Sequence, residues 1–177
     1  MRLPINAAVV RAKPAIEPPR AMKLHIIAVG QKMPDWINTG FDEYAKRMPK
    51  EVAINLIELK PERRATGKTS DQIKTAEHDR IVAAIPRDSM LWVLDERGEQ
   101  LTTLTLAAHL REWQSAGRDT CFIIGGADGL HENVKRRATK LFSLSCLTLP
   151  HGMVRVMLTE QLYRAWSVTQ NHPYHRE

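Results

Sequence analysis

The chain has 177 residues, of which 43% are hydrophobic and 26% are charged, a composition typical of a globular protein that can bury a core. Its net charge of +6 favours a polyanionic partner such as nucleic acid, but a solvated basic surface explains it equally well. No apolar run approaches the roughly 18 residues of a membrane-spanning helix, and the absence of CxxC and HExxH spacings argues against a bound metal.

Residues 1–21 differ from the rest of the chain. They hold four of the ten prolines and about half of the net charge, and their apolar stretches are too short and broken for a signal peptide. A regular strand pattern begins directly after Met22. We therefore predict an irregular extension over residues 1–21, or a start codon assigned too early with Met22 as the true first residue. One domain is predicted over residues 22–177.

The first half of this domain alternates strands and helices. Residues 23–30 predict a buried strand, and Asp35 is a candidate cap for a helix over residues 36–48. A second strand follows over residues 52–59. The basic loop of residues 60–70 either contacts phosphates or is a plain solvated loop, and Ser70 is expected to cap the helix after it.

The second half repeats the alternation. The pattern predicts strands over residues 90–98 and from Cys121 and Leu141, and helices over residues 102–116, 132–140 and 153–170. Because these strands are apolar on both faces, the fold class is α/β, with a mostly parallel sheet in a single domain and helices on both faces. Ligands bind such sheets at the carboxyl ends of the strands, which points to the loops after Leu94, Ile124 and Leu144.

Two of these loops have unusual sequences. "IIGGADG" places Gly125, Gly126 and Gly129 after a buried strand, where they serve either a plain tight turn or the close approach of backbone to a small molecule. "LSCLTLPHG" is too apolar to stand in water, so it is either a buried strand extension or a wrapping around a ligand. Its backbone groups would suit a flat heteroaromatic ring such as adenine.

The remaining candidates are cysteines, arginines and histidines. Cys121 and Cys146 are interpreted as buried free thiols in a reducing, cytoplasmic compartment. Arg164, four residues after Glu160, fits a surface ion pair, although it and Arg155 are also placed to face a phosphate or a partner subunit. Three of the seven histidines fall near the candidate loops or in the closing "NHPYHRE": His151, His172 and His175.

Together, "IIGGADGL", "LSCLTLPHGMVRVMLTEQLYRAW" and "NHPYHRE" closely resemble the ribosomal large-subunit RNA methyltransferase H family, a minimal branch of the SPOUT methyltransferases. The resemblance covers residues 22–177, and "AVGQKMPDW" also matches the opening of the family. It implies a C-terminal deep trefoil knot, a homodimer and no membrane. It also implies transfer of a methyl group from S-adenosyl-L-methionine to N3 of a pseudouridine in 23S rRNA of the assembled ribosome.

The resemblance also assigns roles to residues by position. The implied cofactor contacts are Leu94, Gly125, Gly126, Leu144, Ser145, Cys146, Leu147, Thr148 and Leu149. The implied RNA-handling residues are Arg164, Tyr174, His175 and Arg176, with His175 as a candidate base. A non-catalytic ribosome-binding factor and a tRNA methyltransferase of the same fold are the alternatives, whereas a nicotinamide-dependent oxidoreductase would need a dinucleotide fingerprint that the sequence lacks.

Overall fold

The computed structural model describes residues 21–64 and 67–176, so the predicted N-terminal extension lies almost wholly outside the described residues. Within them, five strands alternate with five helices. The elements are β1 (Met22–Val29), α1 (Asp35–Ala45), β2 (Val52–Leu59), α2 (Ser70–Ala84), β3 (Met90–Gln100), α3 (Thr103–Ala116), β4 (Thr120–Ile124), α4 (Glu132–Arg136), β5 (Lys140–Ser143) and α5 (His151–Thr169).

The strands form one sheet in the order β2-β1-β4-β3-β5. Every pairing between neighbouring strands is parallel, which confirms the predicted α/β class. Because the strands are parallel, their carboxyl ends share one edge of the sheet. The loops that follow β3, β4 and β5 therefore meet at that edge.

Successive residues of each strand point to opposite faces of the sheet, and each face has its own core. Ile26 and Ala28 of β1 pack with buried residues of α1, α3 and α5. Ile27 and Val29 pack with Ile81 of α2 and Val134 of α4. Both faces are therefore covered by helices, as the apolar strands predicted. The C-terminal knot remains a prediction from the family resemblance.

Several helix ends differ from their predicted positions. The Thr69 side chain, rather than Ser70, caps α2, and it forms a reciprocal capping box with Gln72. Asp35 is the first helical residue of α1 and not its cap, and α1 ends at Ala45, before Pro49. The α3 prediction is confirmed, since Thr102 caps its start and Gly117 closes it at a φ of 58°.

The two cysteines have different environments. Cys121 is buried in β4, as predicted, and burial raises the pKa of its thiol to about 12. Cys146 is exposed, so its predicted burial is wrong. The reason is that β5 ends at Ser143 and the chain then turns outward, whereas the sequence suggested that the apolar strand continued.

Candidate active site

A cleft of about 820 Å³ lies at the carboxyl ends of β3, β4 and β5. Its walls come from the end of β3, from the loop after β4 and from the loop between β5 and α5, which are the three loops that the sheet topology predicted. Lys74 of α2, Lys135 of α4 and His151 of α5 complete the lining. Glycine backbone, leucine side chains and charged groups thus face one space.

The loop after β4 leaves no room for side chains at its first two glycines. A Cβ atom at Gly125 would lie 2.8 Å from the Leu130 side chain, and one at Gly126 would lie 3.1 Å from Val29 and 3.2 Å from the carboxylate of Glu77. Gly129, at a φ of 78°, closes the turn by donating its N–H to the Gly126 carbonyl at 3.0 Å. The loop is a tight turn and also lines the cleft, so the two readings of its sequence are compatible.

The end of β3 supplies charged groups through a β-bulge. The pairing of β3 with β5 shifts register between Leu94 and Glu99, and the intervening Asp95, Glu96 and Arg97 line the cleft. Burial alone would raise the pKa of Asp95, but the Lys135 ammonium at 2.7 Å and the Arg97 amide outweigh burial and lower that pKa. A fixed Asp95–Lys135 ion pair therefore forms part of the wall, and the sequence had not singled out either residue.

The loop after β5 is held by its own serines. The Ser143 hydroxyl donates to the Ser145 carbonyl at 2.8 Å, and the Leu147 amide donates to the Ser145 hydroxyl at 2.9 Å. Leu147 lines the cleft and remains 74% exposed. The alternative of a buried strand extension is therefore wrong, and a leucine side chain is presented to the cleft instead.

Eight of the nine predicted cofactor residues line this cleft, and the exposed Cys146 does not. The eight are Leu94, Gly125, Gly126, Leu144, Ser145, Leu147, Thr148 and Leu149.

The start of α5 is tied to the sheet beside the cleft by Arg155, which is only 1% exposed. Its guanidinium donates to the Glu58 carboxylate at 2.5 Å and to the Gly30 carbonyl at 2.9 Å. The expectation that Arg155 faces a phosphate or a partner subunit is therefore wrong. The helical pattern placed Arg155 at the flank of the apolar stripe, but its acceptors lie about a hundred residues earlier in the chain.

His151 lies one helical turn before Arg155 and lines the cleft. Burial and, to a lesser extent, the positive charge of Arg155 lower the pKa of the His151 imidazole. The ring is therefore neutral near pH 7.

The C-terminal tail packs back against the second half of α5. The Tyr174 ring lies 4.8 Å from the Tyr163 ring and 4.7 Å from the Arg164 guanidinium. Glu160 accepts hydrogen bonds from the Tyr174 hydroxyl at 3.0 Å and from Arg164 Nε at 2.9 Å. The predicted Glu160–Arg164 ion pair is confirmed, and it also holds the tail. Burial, and then the bond to Glu160, raise the pKa of Tyr174.

The last two predicted site residues have contrasting environments. His175 is half-buried, and within the described residues its Nδ1 is buried without a hydrogen-bond partner. Arg176 is exposed, and its Nε donates to the Pro173 carbonyl at 3.3 Å. The buried Nδ1 is closed to an incoming ligand, so any approach to the His175 ring is through its remaining exposed edge, whereas the Arg176 guanidinium is open to solvent.

The four predicted RNA-handling residues do not line the cleft of their own subunit. Tyr174 reaches α5 at Glu160, nine residues beyond His151, which corresponds to about 14 Å along a helix. The structure thus gathers the predicted residues into two groups, a cleft group and a tail group, and does not bring them together within one chain.

The basic loop between β2 and α2 is described except for residues 65 and 66. Its Glu62 carboxylate pairs with Lys68 and Arg80, and Arg64 pairs with Asp128 of the glycine loop at 2.9 Å. Much of its positive charge is therefore balanced within the protein.

No helix within residues 21–64 and 67–176 is long and apolar enough to cross a membrane. No group of three or more histidine, cysteine or acidic side chains in the same ranges is arranged to hold a metal ion.

Comparisons with known proteins show the family of the chain. A family model described as "Predicted SPOUT methyltransferase" matches residues 22–175. The curated "Ribosomal RNA large subunit methyltransferase H" of Paraburkholderia xenovorans (strain LB400) is 61% identical over 155 residues, covering 88% of this chain and 99% of the relative. The protein of the same name from Burkholderia thailandensis is 62% identical with the same coverage.

Among solved structures, a probable methylase family protein from Haemophilus influenzae Rd KW20 matches with a TM-score of 0.50 and 11% identity. The match covers 90% of this chain and 72% of that chain, and it concerns the fold alone. Because the family model spans nearly all of the described domain, the chain belongs to the SPOUT methyltransferase family.

Proposed function

We propose that this protein transfers a methyl group from S-adenosyl-L-methionine to N3 of a pseudouridine in 23S rRNA of the assembled ribosome, in the cytoplasm. The observation that carries the proposal is the cleft, because eight residues chosen from sequence alone meet there. The 61–62% identity to ribosomal RNA large subunit methyltransferases H supports rRNA as the substrate.

The lining of the cleft fits S-adenosyl-L-methionine, which contains an adenine ring and a methionine chain. Leu94, Leu144 and Leu147 offer apolar surface for the ring. Gly125 and Gly126 line the cleft with backbone alone, and neighbouring side chains leave no space for a Cβ atom at either position. Asp95 and Lys135 offer charged groups to the methionine end.

The bound cofactor supplies an activated methyl group on its sulfonium, so the protein must prepare the acceptor. An imide N3–H becomes a good nucleophile only when its proton leaves. The His175 imidazole is our candidate to take that proton. Arg176 and Arg164 are our candidates to stabilise the resulting charge on the carbonyl oxygens or to contact phosphate, and Tyr174 is our candidate to stack on the base or ribose.

We further propose that the protein acts as a homodimer in which the tail of one subunit completes the site of its partner. Within one chain the tail group docks on α5, away from the cleft, and its guanidinium and imidazole groups have no part in the lining. A second copy would supply the missing RNA-handling half. In the alternative arrangement the tail would move into the cleft of its own subunit, and this movement would break the Tyr174–Glu160 hydrogen bond.

The decisive experiment is mass mapping of 23S rRNA from cells that lack this protein and from cells in which it is restored. A methyl group should return on one pseudouridine. Purified protein should bind S-adenosyl-L-methionine in calorimetry, which a non-catalytic ribosome-binding factor would not do. Methylation of tRNA instead of 23S rRNA would refute the substrate.

The base role of His175 has its own test. His175→Ala should lower methylation of ribosomes by about a hundredfold or more, the usual contribution of a general base, while cofactor affinity is unchanged. Retention of full activity by this variant from about pH 6 to about pH 9 would rule out the base role. His78→Ala, on α2 outside both the cleft lining and the tail group, is the matched control.

A further inference from the structure

His151 is the histidine of the cleft wall, and its surroundings are unusual for a group that can carry charge. The ring packs against Gly30 at the end of β1: a Cβ atom placed there would lie 3.2 Å from His151 Nε2 and 3.1 Å from Arg155 Nη2. The His151 imidazole and the Arg155 guanidinium thus both lie against the backbone of Gly30. Among the described residues, no group is hydrogen-bonded to the His151 ring, which also lines the cleft.

The neighbouring guanidinium is permanently charged, and it is buried and bonded to Glu58 and the Gly30 carbonyl. A second positive charge on the imidazole would therefore be repelled in a poorly hydrated place. The direction of the His151 pKa, which is lowered, agrees with this geometry.

The effect of a neutral His151 imidazole depends on the other charged groups around the cleft. Four carboxylates and three cationic side chains line it, in addition to the His151 imidazole. These groups are Asp95, Glu96, Asp128, Glu132, Lys74, Arg97 and Lys135. Beyond the lining, Arg64 pairs with Asp128, and Glu58 pairs with Arg155. With these pairs included and a neutral imidazole the charges balance, so a protonated His151 would leave one net positive charge.

The donor and the product of methyl transfer differ in charge. S-adenosyl-L-methionine carries a sulfonium and is a net cation near neutral pH, whereas S-adenosyl-L-homocysteine has a neutral thioether and no net charge. We propose that His151 is a specificity-determining residue whose neutral imidazole keeps the cleft free of net positive charge and so favours the cationic donor over its neutral by-product. This inference rests on the proposed cofactor cleft and adds the means by which the cleft discriminates between donor and product.

The test is the ratio of two dissociation constants, measured by calorimetry on the full chain between about pH 5.5 and about pH 7.5, the range in which an imidazole titrates. As His151 gains a proton at the lower pH, the Kd of S-adenosyl-L-methionine should rise relative to that of S-adenosyl-L-homocysteine by about threefold or more. The sulfonium itself does not titrate, so the ratio isolates its interaction with the protein.

In His151→Gln the ratio should not change with pH, whereas His109→Gln, altered on α3 outside the cleft, should behave as the unaltered protein does. A constant ratio in the unaltered protein, or the same pH dependence in His151→Gln, would overturn the inference. Failure of both compounds to bind the unaltered protein would overturn the cofactor cleft as well, so the two failures are distinguishable.

A second measurement uses the unaltered protein, so its outcome does not depend on whether a variant folds. The imidazole resonances of the unaltered protein can be titrated by NMR in each complex. The midpoint for His151 should be lower with S-adenosyl-L-methionine than with S-adenosyl-L-homocysteine, because the sulfonium opposes the added proton. Equal midpoints would overturn the inference.

Discussion

At the scale of single residues, Arg155 shows how a charged group is made part of a core. Its guanidinium is bonded to one carboxylate and one backbone carbonyl, while its Nε has no partner within the described residues. Removing one member of a buried ion pair leaves the other uncompensated, which typically costs about 3–5 kcal/mol. Glu58 keeps partial contact with water, so the lower end of that range applies.

Arg155→Ala should therefore lower the free energy of unfolding by about 3 kcal/mol. It should also weaken cofactor binding, because α5 would lose its tie to the ends of β1 and β2 beside the cleft. Urea unfolding and calorimetry measure the two effects. Arg136→Ala, on the exposed side of α4, should change stability by no more than about 0.5 kcal/mol; a similar loss in both variants would show that the buried pair has no special role.

Two substitutions of Tyr174 distinguish the contribution of its hydroxyl group from that of its aromatic ring. Tyr174→Phe loses the hydrogen bond to Glu160, worth about 0.5–1.5 kcal/mol, but keeps its ring against Tyr163 and Arg164. It should retain most of its methylation rate, whereas Tyr174→Ala should lose it while binding cofactor normally. If single-turnover rates on ribosomes showed equal losses for both variants, the stacking role would be wrong.

At the scale of elements, most of the architecture follows from local sequence. Apolar runs such as residues 52–59 set the strands, and Thr102 and Gly117 set both ends of α3. The β3 bulge could not be predicted in this way. Residues 90–98 read as a single strand, and only the pairing with β5 reveals the register shift that turns Asp95, Glu96 and Arg97 into the cleft.

Gly98 is the residue that permits this close pairing. A Cβ atom there would lie 2.6 Å from the backbone N and C atoms of Phe142 in β5, and backbone cannot move aside as a side-chain end can. Gly98→Ala should lower stability by about 1–3 kcal/mol and reduce cofactor affinity together with it. Glu99→Ala removes only a surface pair with Lys140 and should cost less than about 1 kcal/mol. Unchanged unfolding of Gly98→Ala would show that the bulge yields easily.

At the scale of the whole molecule, the sequence predicted most of the residues that line the cleft. It did not predict where the tail group lies relative to the cleft group. The cleft could be predicted because its loops follow parallel strands and their residues match a family motif. The docking of Tyr174 on Glu160 and of Arg155 on Glu58 could not, since each contact depends on the path of the chain between distant residues. Family resemblance named the tail residues, but their separation from the cleft emerges only from the folded chain.

This separation makes the arrangement of active sites in a dimer testable by complementation. One subunit would carry Gly125→Leu, which should disrupt the cleft wall because even a Cβ atom there would lie 2.8 Å from Leu130, another lining residue. The other would be truncated after Asn171, which removes Tyr174, His175 and Arg176 but leaves its cleft intact. Each variant alone should be inactive on ribosomes. In a co-purified mixed dimer, the intact tail of the first subunit reaches the intact cleft of the second, so about one site per dimer should methylate. An inactive mixed dimer whose truncated subunit still binds cofactor would show that each tail serves its own cleft, because then both functional halves would never meet in one site.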